Sequence, residues 1–156
     1  MKDNYNLLVD SREPYWIKQK FKDMSETYDD LNVKITALKT GDYCNNYFIC
    51  ERKELDDFIS SFTARKRKDY ERLKQQTGRM LNAPQPIKIF LIIGEDFSKA
   101  YSQVNEHSFN GQLAKLTALG FNVVMMSKNN DFIDYIYRLV RLSRKYTVPF
   151  DQSRLI

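Results

Sequence analysis

The chain holds one histidine, two cysteines, one tryptophan, four prolines and five glycines in 156 residues. Each scarcity excludes something. A single histidine, His107, cannot build a multi-histidine zinc centre, and with no serine or cysteine partner in a recognisable arrangement it reads as a structural or surface residue. Cys44 and Cys50 are too few for a disulfide framework and flank a strand-like stretch rather than a zinc motif. No segment approaches the ~20 consecutive apolar residues that a membrane span needs. Met1-Lys2-Asp3 leads into a polar segment, unlike a secretory leader. A soluble protein is expected, cytoplasmic by default and nuclear in a eukaryotic host. With imidazole and thiolate so scarce, a catalytic metal would have to be held mainly by carboxylates, which selects Mg²⁺ or Mn²⁺.

What is present fits one compact domain. Hydrophobic residues make up 42% and charged residues 29%, the balance of an ordinary globular protein with a real core. The net charge of +5 permits a polyanionic partner without requiring one. Its distribution says more. Arg65-Lys66-Arg67-Lys68 sets four cations side by side, and Arg138, Arg141, Arg144 and Lys145 recur near the C-terminus. The acidic pairs Asp29-Asp30 and Asp56-Asp57 lie elsewhere.

Periodicity supplies a coarse order of elements. Residues 5–9 read as a strand ending at Asp10, and Pro14 suits the start of a helix over 15–24 that carries Trp16, Ile17 and Phe21. Residues 33–38 alternate as a strand, broken by Thr40-Gly41-Asp42. Asn45-Asn46 marks a turn before a second alternating strand at 47–53. Helices are expected over 54–62 and 68–81, closed by Pro84 and Pro86. The apolar run 87–93 reads as a strand buried on both faces, and so does 122–127, with Met125-Met126 in its core. Ser108 is the expected cap of a helix through Leu119, Gly120 suits its C-terminal stop, and Asn130 is the expected cap of the helix 131–146. Strands alternating with helices predict a central α/β sheet. Cys50 falls on the opposite strand face from Glu51 and is expected to pack against a helix.

Glu51 and Lys53 are two residues apart on one strand, so both side chains leave the same sheet face. Asp42, expected at the end of the preceding strand, is near enough to share a cation with Glu51. Carboxylates holding a divalent ion beside a lysine form a known arrangement for phosphodiester hydrolysis. Taken alone, the triad fits a solvated strand end with a surface ion pair better than it fits a catalytic site.

The company it keeps is more specific. Val9-Asp10-Ser11-Arg12-Glu13, then Gly41-Asp42-Tyr43, then Glu51-Arg52-Lys53 with Asp57 beyond, resembles the nuclease domain of the XPF family of structure-specific endonucleases, whose hallmark is GD, a variable gap, then ERK-x-x-x-D. Phe58-Ile59-Ser60-Ser61 followed by Arg65 resembles that family's next helix and arginine, with a gap one residue shorter than in archaeal relatives. Residues 89–94, closing on Glu95, resemble its buried strand. The likeness runs from Leu7 to Tyr146.

The resemblance implies a restriction-endonuclease-like α/β fold, a central mixed sheet flanked by helices, as a single domain over 1–147 with a tail at 148–156. It implies a metal-dependent DNA endonuclease acting on branched, flapped or forked DNA. Asp42, Glu51 and Asp10 would hold Mg²⁺ or Mn²⁺, Lys53 would be the catalytic lysine, and Arg12, Glu13, Arg52 and Asp57 would support them. Arg65, Arg67 and Lys68 would meet the DNA backbone, although a solvated charge run explains Arg67 and Lys68 as well. The apolar residues Phe132, Ile133, Tyr135, Ile136, Leu139, Val140 and Leu142 exceed what one buried helix face needs. The excess, with the family's habit of pairing, implies a homodimer or heterodimer through the C-terminal helices. Relatives append a tandem helix-hairpin-helix module for which the residues after 147 leave no room, so weaker and more salt-sensitive DNA binding is expected. The rival expectation is a non-cleaving DNA-binding or scaffolding subunit, against which the intact Asp42, Glu51 and Lys53 count. A third is a nuclease of the broader superfamily, such as a restriction or resolvase enzyme.

Overall fold

The computed structural model describes residues 5–63, 67–97, 106–128 and 131–147. Six strands form one mixed sheet in the order β2-β1-β3-β4-β5-β6. They are β1 (Leu7–Asp10), β2 (Val33–Thr36), β3 (Tyr43–Cys44), β4 (Phe48–Glu54), β5 (Ile87–Gly94) and β6 (Asn122–Ser127). β1 runs parallel to β2 and antiparallel to β3, β3 is antiparallel to β4, and β4, β5 and β6 are mutually parallel. The helices are α1 (Tyr15–Thr27), α2 (Leu55–Ser60), α3 (Arg67–Leu81), α4 (Glu106–Ala118) and α5 (Phe132–Tyr146).

Two apolar layers sandwich the sheet, each built from alternate strand residues. On one side Leu7, Val9, Tyr43, Phe48, Cys50, Ile89 and Leu91 meet Ile17 and Phe21 of α1 and Ile133, Ile136, Tyr137 and Val140 of α5. Cys50 is thus buried against helices, as its strand parity predicts. On the other side Cys44, Ile49, Phe90 and Ile92 meet Phe58 of α2, Leu73 and Met80 of α3, and Phe109 and Leu116 of α4. This two-period partition decides which side of the sheet receives each polar residue at the strand ends.

Several sequence expectations need correction. Asp42 does not end the strand that begins at Val33. That strand lies at the sheet edge beside β1, and a two-residue strand, β3, intervenes and forms the hairpin with β4. A strand of two residues carries no periodicity to read. β6 is an edge strand, so Met125 is 42% exposed rather than core; its apolar composition mimics a central strand. Helix α4 starts at Glu106, so Ser108 lies inside it rather than capping it. The cap of α5 is Asp131, whose side chain accepts from the amides of Ile133 and Asp134, whereas Asn130 lies outside the described residues. Gly120 does stop α4: at φ +106, its amide donates to Thr117 and that of Phe121 to Leu116, the paired bonds of a Schellman ending. No helix among the described residues is long and apolar enough to cross a membrane.

Candidate active site

Strand parity brings three carboxylates to one side of the sheet. Asp10 shares its face with Leu8, Asp42 with Cys44 and Glu51 with Ile49, and all three apolar residues pack on the α2–α3–α4 side. Asp42 is fixed there by backbone. Its amide donates to the Cys50 carbonyl at 2.8 Å and its carbonyl accepts from the Asp10 amide at 2.8 Å, so it is stitched to β1 and β4 together. Gly41 supplies the turn. Its φ of +76 is left-handed, and an added Cβ would sit 2.7 Å from Ile49 Cγ1, so both conformation and space call for glycine.

The three acids line one cavity of about 270 Å³ with Arg12, Lys39, Thr40 and Gly41. Gln76 and Arg79 of α3 form its remaining wall with Leu38. Asp42 Oδ2 accepts from the Arg52 amide at 2.8 Å. Asp10 accepts from the Leu38 amide at 3.1 Å and from Arg12 Nε at 3.1 Å, and Arg12 also donates to the Leu38 carbonyl. Among the described residues nothing donates a hydrogen bond to the Glu51 carboxylate, although Glu51 is only 6% exposed. Lys53 Nζ reaches Gln76 Oε1 at 3.4 Å, a long contact that leads the lysine toward the cavity wall.

Burial and mutual repulsion set the electrostatics. Burial first, then Glu13, pushes the Asp42 carboxyl up from 3.8 to about 7, against the pull of the Arg52 amide. Burial first, then Asp42, pushes Glu51 up from 4.5 to about 8, with Lys53 opposing. Two carboxyls that resist losing their protons in close company form a site that a cation would relieve.

On the opposite face of the same strand the charges are matched. Arg52 forks onto Glu13 through Nε at 3.0 Å and Nη2 at 3.3 Å, and its Nη1 donates to Glu54 at 2.7 Å. The Tyr43 hydroxyl donates to Glu13 as well. Burial opposes the guanidinium charge, but the bonds to Glu13 and the nearby acids outweigh it and hold Arg52 above its ordinary range. Burial, then Glu13, also raises the Tyr43 phenol.

The sequence-predicted residues therefore separate into groups. Asp10, Arg12, Asp42 and Glu51 share the cavity, and Lys53 approaches it through Gln76. Glu13 and Arg52 lie beneath it across the sheet; the Arg52 amide donates to Asp42, and the charge of Glu13 pushes the Asp42 carboxyl up. Asp57 is exposed in the first turn of α2 and does not line the cavity. Lys68 is exposed on α3. Arg65 and the side chains of Arg67 and His107 lie outside the described residues, as does the tail from Val148. Sequence reasoning missed Lys39, Thr40, Gln76 and Arg79. The first two flank the noticed Gly41-Asp42, but Gln76 and Arg79 reach the site only through the packing of α3, which no local spacing announces.

No group of three or more His, Cys, Asp or Glu among the described residues is arranged to hold a metal ion. A pair of carboxylates is enough for Mg²⁺, which keeps several waters and accepts one or two carboxylate ligands. Asp42 and Glu51 offer that pair, in oxygen chemistry suited to a hard ion. The third acid of the cavity, Asp10, is occupied by Arg12 and the Leu38 amide.

The geometry can be set beside known proteins. XPF from Aeropyrum pernix in complex with DNA superposes with a TM-score of 0.69 at 20% sequence identity, covering 92% of this chain and 67% of that one. A second structure of XPF from Aeropyrum pernix gives 0.66 at 18% identity, covering 94% of this chain and 66% of that one. The chain thus spans about two thirds of the length of these proteins and shares their nuclease-domain fold, a restriction-endonuclease-like sheet flanked by helices. Comparison with curated proteins gives no match. The ERCC4 domain profile matches residues 9–139, a span that takes in every residue of the cavity, and the chain therefore belongs to the ERCC4 domain family.

Proposed function

We propose that this chain is a divalent-metal-dependent endonuclease that hydrolyses phosphodiester bonds in branched, flapped or forked DNA. The observation that carries the reading is the meeting of Asp42 and Glu51 in one cavity, on the strand face that also bears Lys53. Family membership supports a nuclease, and the DNA complex of the Aeropyrum XPF supports DNA as the partner.

In this reading Asp42, Glu51 and Asp10 would hold Mg²⁺ or Mn²⁺. The bound ion supplies Lewis-acid polarisation of the phosphate and lowers the pKa of water. The chain does the rest. The Arg52 amide fixes the orientation of Asp42, and Glu51 enters the site with its oxygens uncommitted. Lys53, steered by Gln76, orients the attacking water and steadies charge as it develops on the phosphate. Glu13 and Arg52 keep β4 and the β1 end in fixed relation beneath the site. Arg12 contacts the phosphate, Asp57 supports the catalytic strand from α2, and Arg65, Arg67 and Lys68 hold the DNA backbone.

The apolar surface of α5 supports pairing through this helix, as a homodimer or a heterodimer. Leu142 is 49% and Tyr146 67% exposed, while Tyr135 and Leu139 are only partly buried, which leaves apolar surface beyond the core stripe. Size-exclusion chromatography with light scattering should return twice the chain mass if the chain pairs with itself, and a monomer at micromolar concentration would reject the homodimer.

The catalytic reading is tested by Asp42→Ala and Glu51→Ala, assayed with Mg²⁺ or Mn²⁺ on flap, fork, junction and linear duplexes. Wild type should cut branched substrates and both variants should not. A wild type that cuts none, or variants that cut equally well, would end the proposal. Equal cutting of linear duplex would move it to a nuclease of different specificity.

A further inference from the structure

Helix α3 carries a row of side chains with no role in the motif. Lys68, Arg72, Gln76 and Arg79 recur at intervals of three or four, so they lie along one flank of the helix. The adjoining stripe of Leu73, Thr77 and Met80 is buried against the sheet. The row's two ends differ. Arg79 and Gln76 line the cavity that holds Asp10, Asp42 and Glu51, while Lys68 is the last residue of the basic run that begins at Arg65. Lys68, Arg72 and Arg79 are all exposed. None of the three has an ion-pair partner among the described residues, whereas Arg12, Arg52, Lys128, Arg138 and Arg141 are each matched to an acid.

An unmatched arginine on the wall of an acidic cavity calls for an explanation. Arg79 could neutralise the carboxylates, yet it forms no bond to them. Its exposed guanidinium is left to solvent and is open to an anion brought in from outside. Arg72 and Arg79 are seven residues apart, about 10 Å along the axis at ~1.5 Å per residue. That distance suits contacts to different phosphates of one backbone, with Gln76 between them as a neutral donor. A planar guanidinium can meet two phosphate oxygens at once.

We propose that α3 is the backbone-tracking element of this nuclease. Arg79 binds the phosphate at the point of cleavage, and Arg72 and Lys68 bind successive phosphates of the strand that leads away toward the N-terminal end of α3. The inference rests on the nuclease reading for the identity of its ligand. The direction of the track follows from the helix: the strand leaves the cavity antiparallel to α3, from its C-terminal toward its N-terminal end.

The test uses the full chain and a fluorescein-labelled flap duplex. Binding is measured by anisotropy in EDTA across a salt series, and cleavage by single-turnover rates with Mn²⁺ at saturating protein. Lys74 is exposed on the opposite flank of α3, so Lys74→Ala removes one charge from the same helix off the track. Arg79→Ala and Arg72→Ala should each lower the salt slope by about one counterion, and Lys74→Ala should leave it unchanged. Arg79→Ala should also slow cleavage at least tenfold, Arg79→Lys should restore part of that rate, and Arg72→Ala should affect binding alone.

Row variants indistinguishable from Lys74→Ala, with wild type cutting and Glu51→Ala silent, would overturn the track and leave the nuclease intact. A wild type that binds through the row and never cuts would overturn the nuclease and leave the track as a DNA-binding surface. Failure of wild type to bind the duplex at low salt would overturn the track itself.

Discussion

Residues Glu51, Arg52 and Lys53 are consecutive, yet they belong to two different environments. Arg52 points to the α1–α5 side, where Glu13, Glu54 and the Tyr43 hydroxyl satisfy it. Glu51 and Lys53 point to the α2–α3 side. There Glu51 is buried without a hydrogen-bond donor among the described residues, and Lys53 has one long contact. The difference separates holding from acting. A buried charge with matched partners fixes geometry, whereas a buried charge left without them is costly to the fold and available to a ligand. Three residues that a motif lists as one unit thus divide, by the two-residue period of a strand, into one structural and two chemical members.

The sharpest way to break this comparison is to remove one charge from each face. Glu51→Gln should reduce cleavage by roughly a thousandfold, the scale seen when one preorganised electrostatic partner is lost, with stability equal to or above wild type. Glu13→Gln should do the reverse. It leaves Arg52 buried without its carboxylate and should cost about 3 kcal/mol in urea unfolding, with cleavage by the remaining folded fraction falling far less than in Glu51→Gln. If the two variants exchange these behaviours, the division between the faces is wrong.

A pH series sharpens the comparison. Asp42 and Glu51 titrate near 3.8 and 4.5 ordinarily, and at about 7 and about 8 in the folded chain, chiefly because burial disfavours their charge. The folded chain therefore binds protons that the unfolded chain has released between about pH 4 and 8. Where the folded state holds more protons, stability falls as pH rises. Melting temperature in EDTA should accordingly drop by several degrees between pH 6 and pH 8.5 through these two groups. Added Mn²⁺ binds the deprotonated pair and should recover more of the loss at pH 8.5 than at pH 6. Glu51→Gln should flatten both trends. A Mn²⁺ increment independent of pH would place the ion elsewhere.

The smallest effect concerns the phenol. Tyr43→Phe retains the ring that packs against Phe21 and Phe132 and removes one donor from Glu13. It should lower stability by about 1 kcal/mol and leave the cleavage rate within a factor of a few. A large catalytic loss would show that the matched face reaches the chemistry after all.

Much of the site was legible because strand parity is strict. Glu51 and Lys53 on one face, with Cys50 on the other, follow from position alone, and Gly41 announces its turn by needing a left-handed φ. Legibility failed where a contact depends on tertiary packing. β3 is too short to show a period, so the sequence puts Asp42 at the end of β2 instead of ahead of β3, although its nearness to Glu51 holds. Met125 sits in a strand with the composition of a central one but the exposure of an edge. Arg79 joins the cavity only because Leu73, Thr77 and Met80 seat α3 on the sheet. Asp57 keeps the motif's spacing, yet that spacing carries it onto an exposed helix turn. Likewise the last helix shows its apolar excess in sequence, but the burial of Tyr137 beneath Tyr28 depends on tertiary packing.

Because the two faces of β4 are so unlike, the strand has little tolerance for misregistration. A one-residue slip of β4 would exchange them. Arg52 would enter the acidic cavity, and Glu51 and Lys53 would be driven into the apolar layer under α1 and α5. The geometry of the candidate site thus depends on how the strand is started, as well as on its seven pairs with β5. Asn45 sets that start: its side-chain oxygen accepts from the amides of Tyr47 and Phe48 at 2.8 and 3.0 Å, and its own amide donates to the Phe48 carbonyl. A turn residue outside the cavity thereby governs which tooth of the strand faces it, as a detent governs a ratchet.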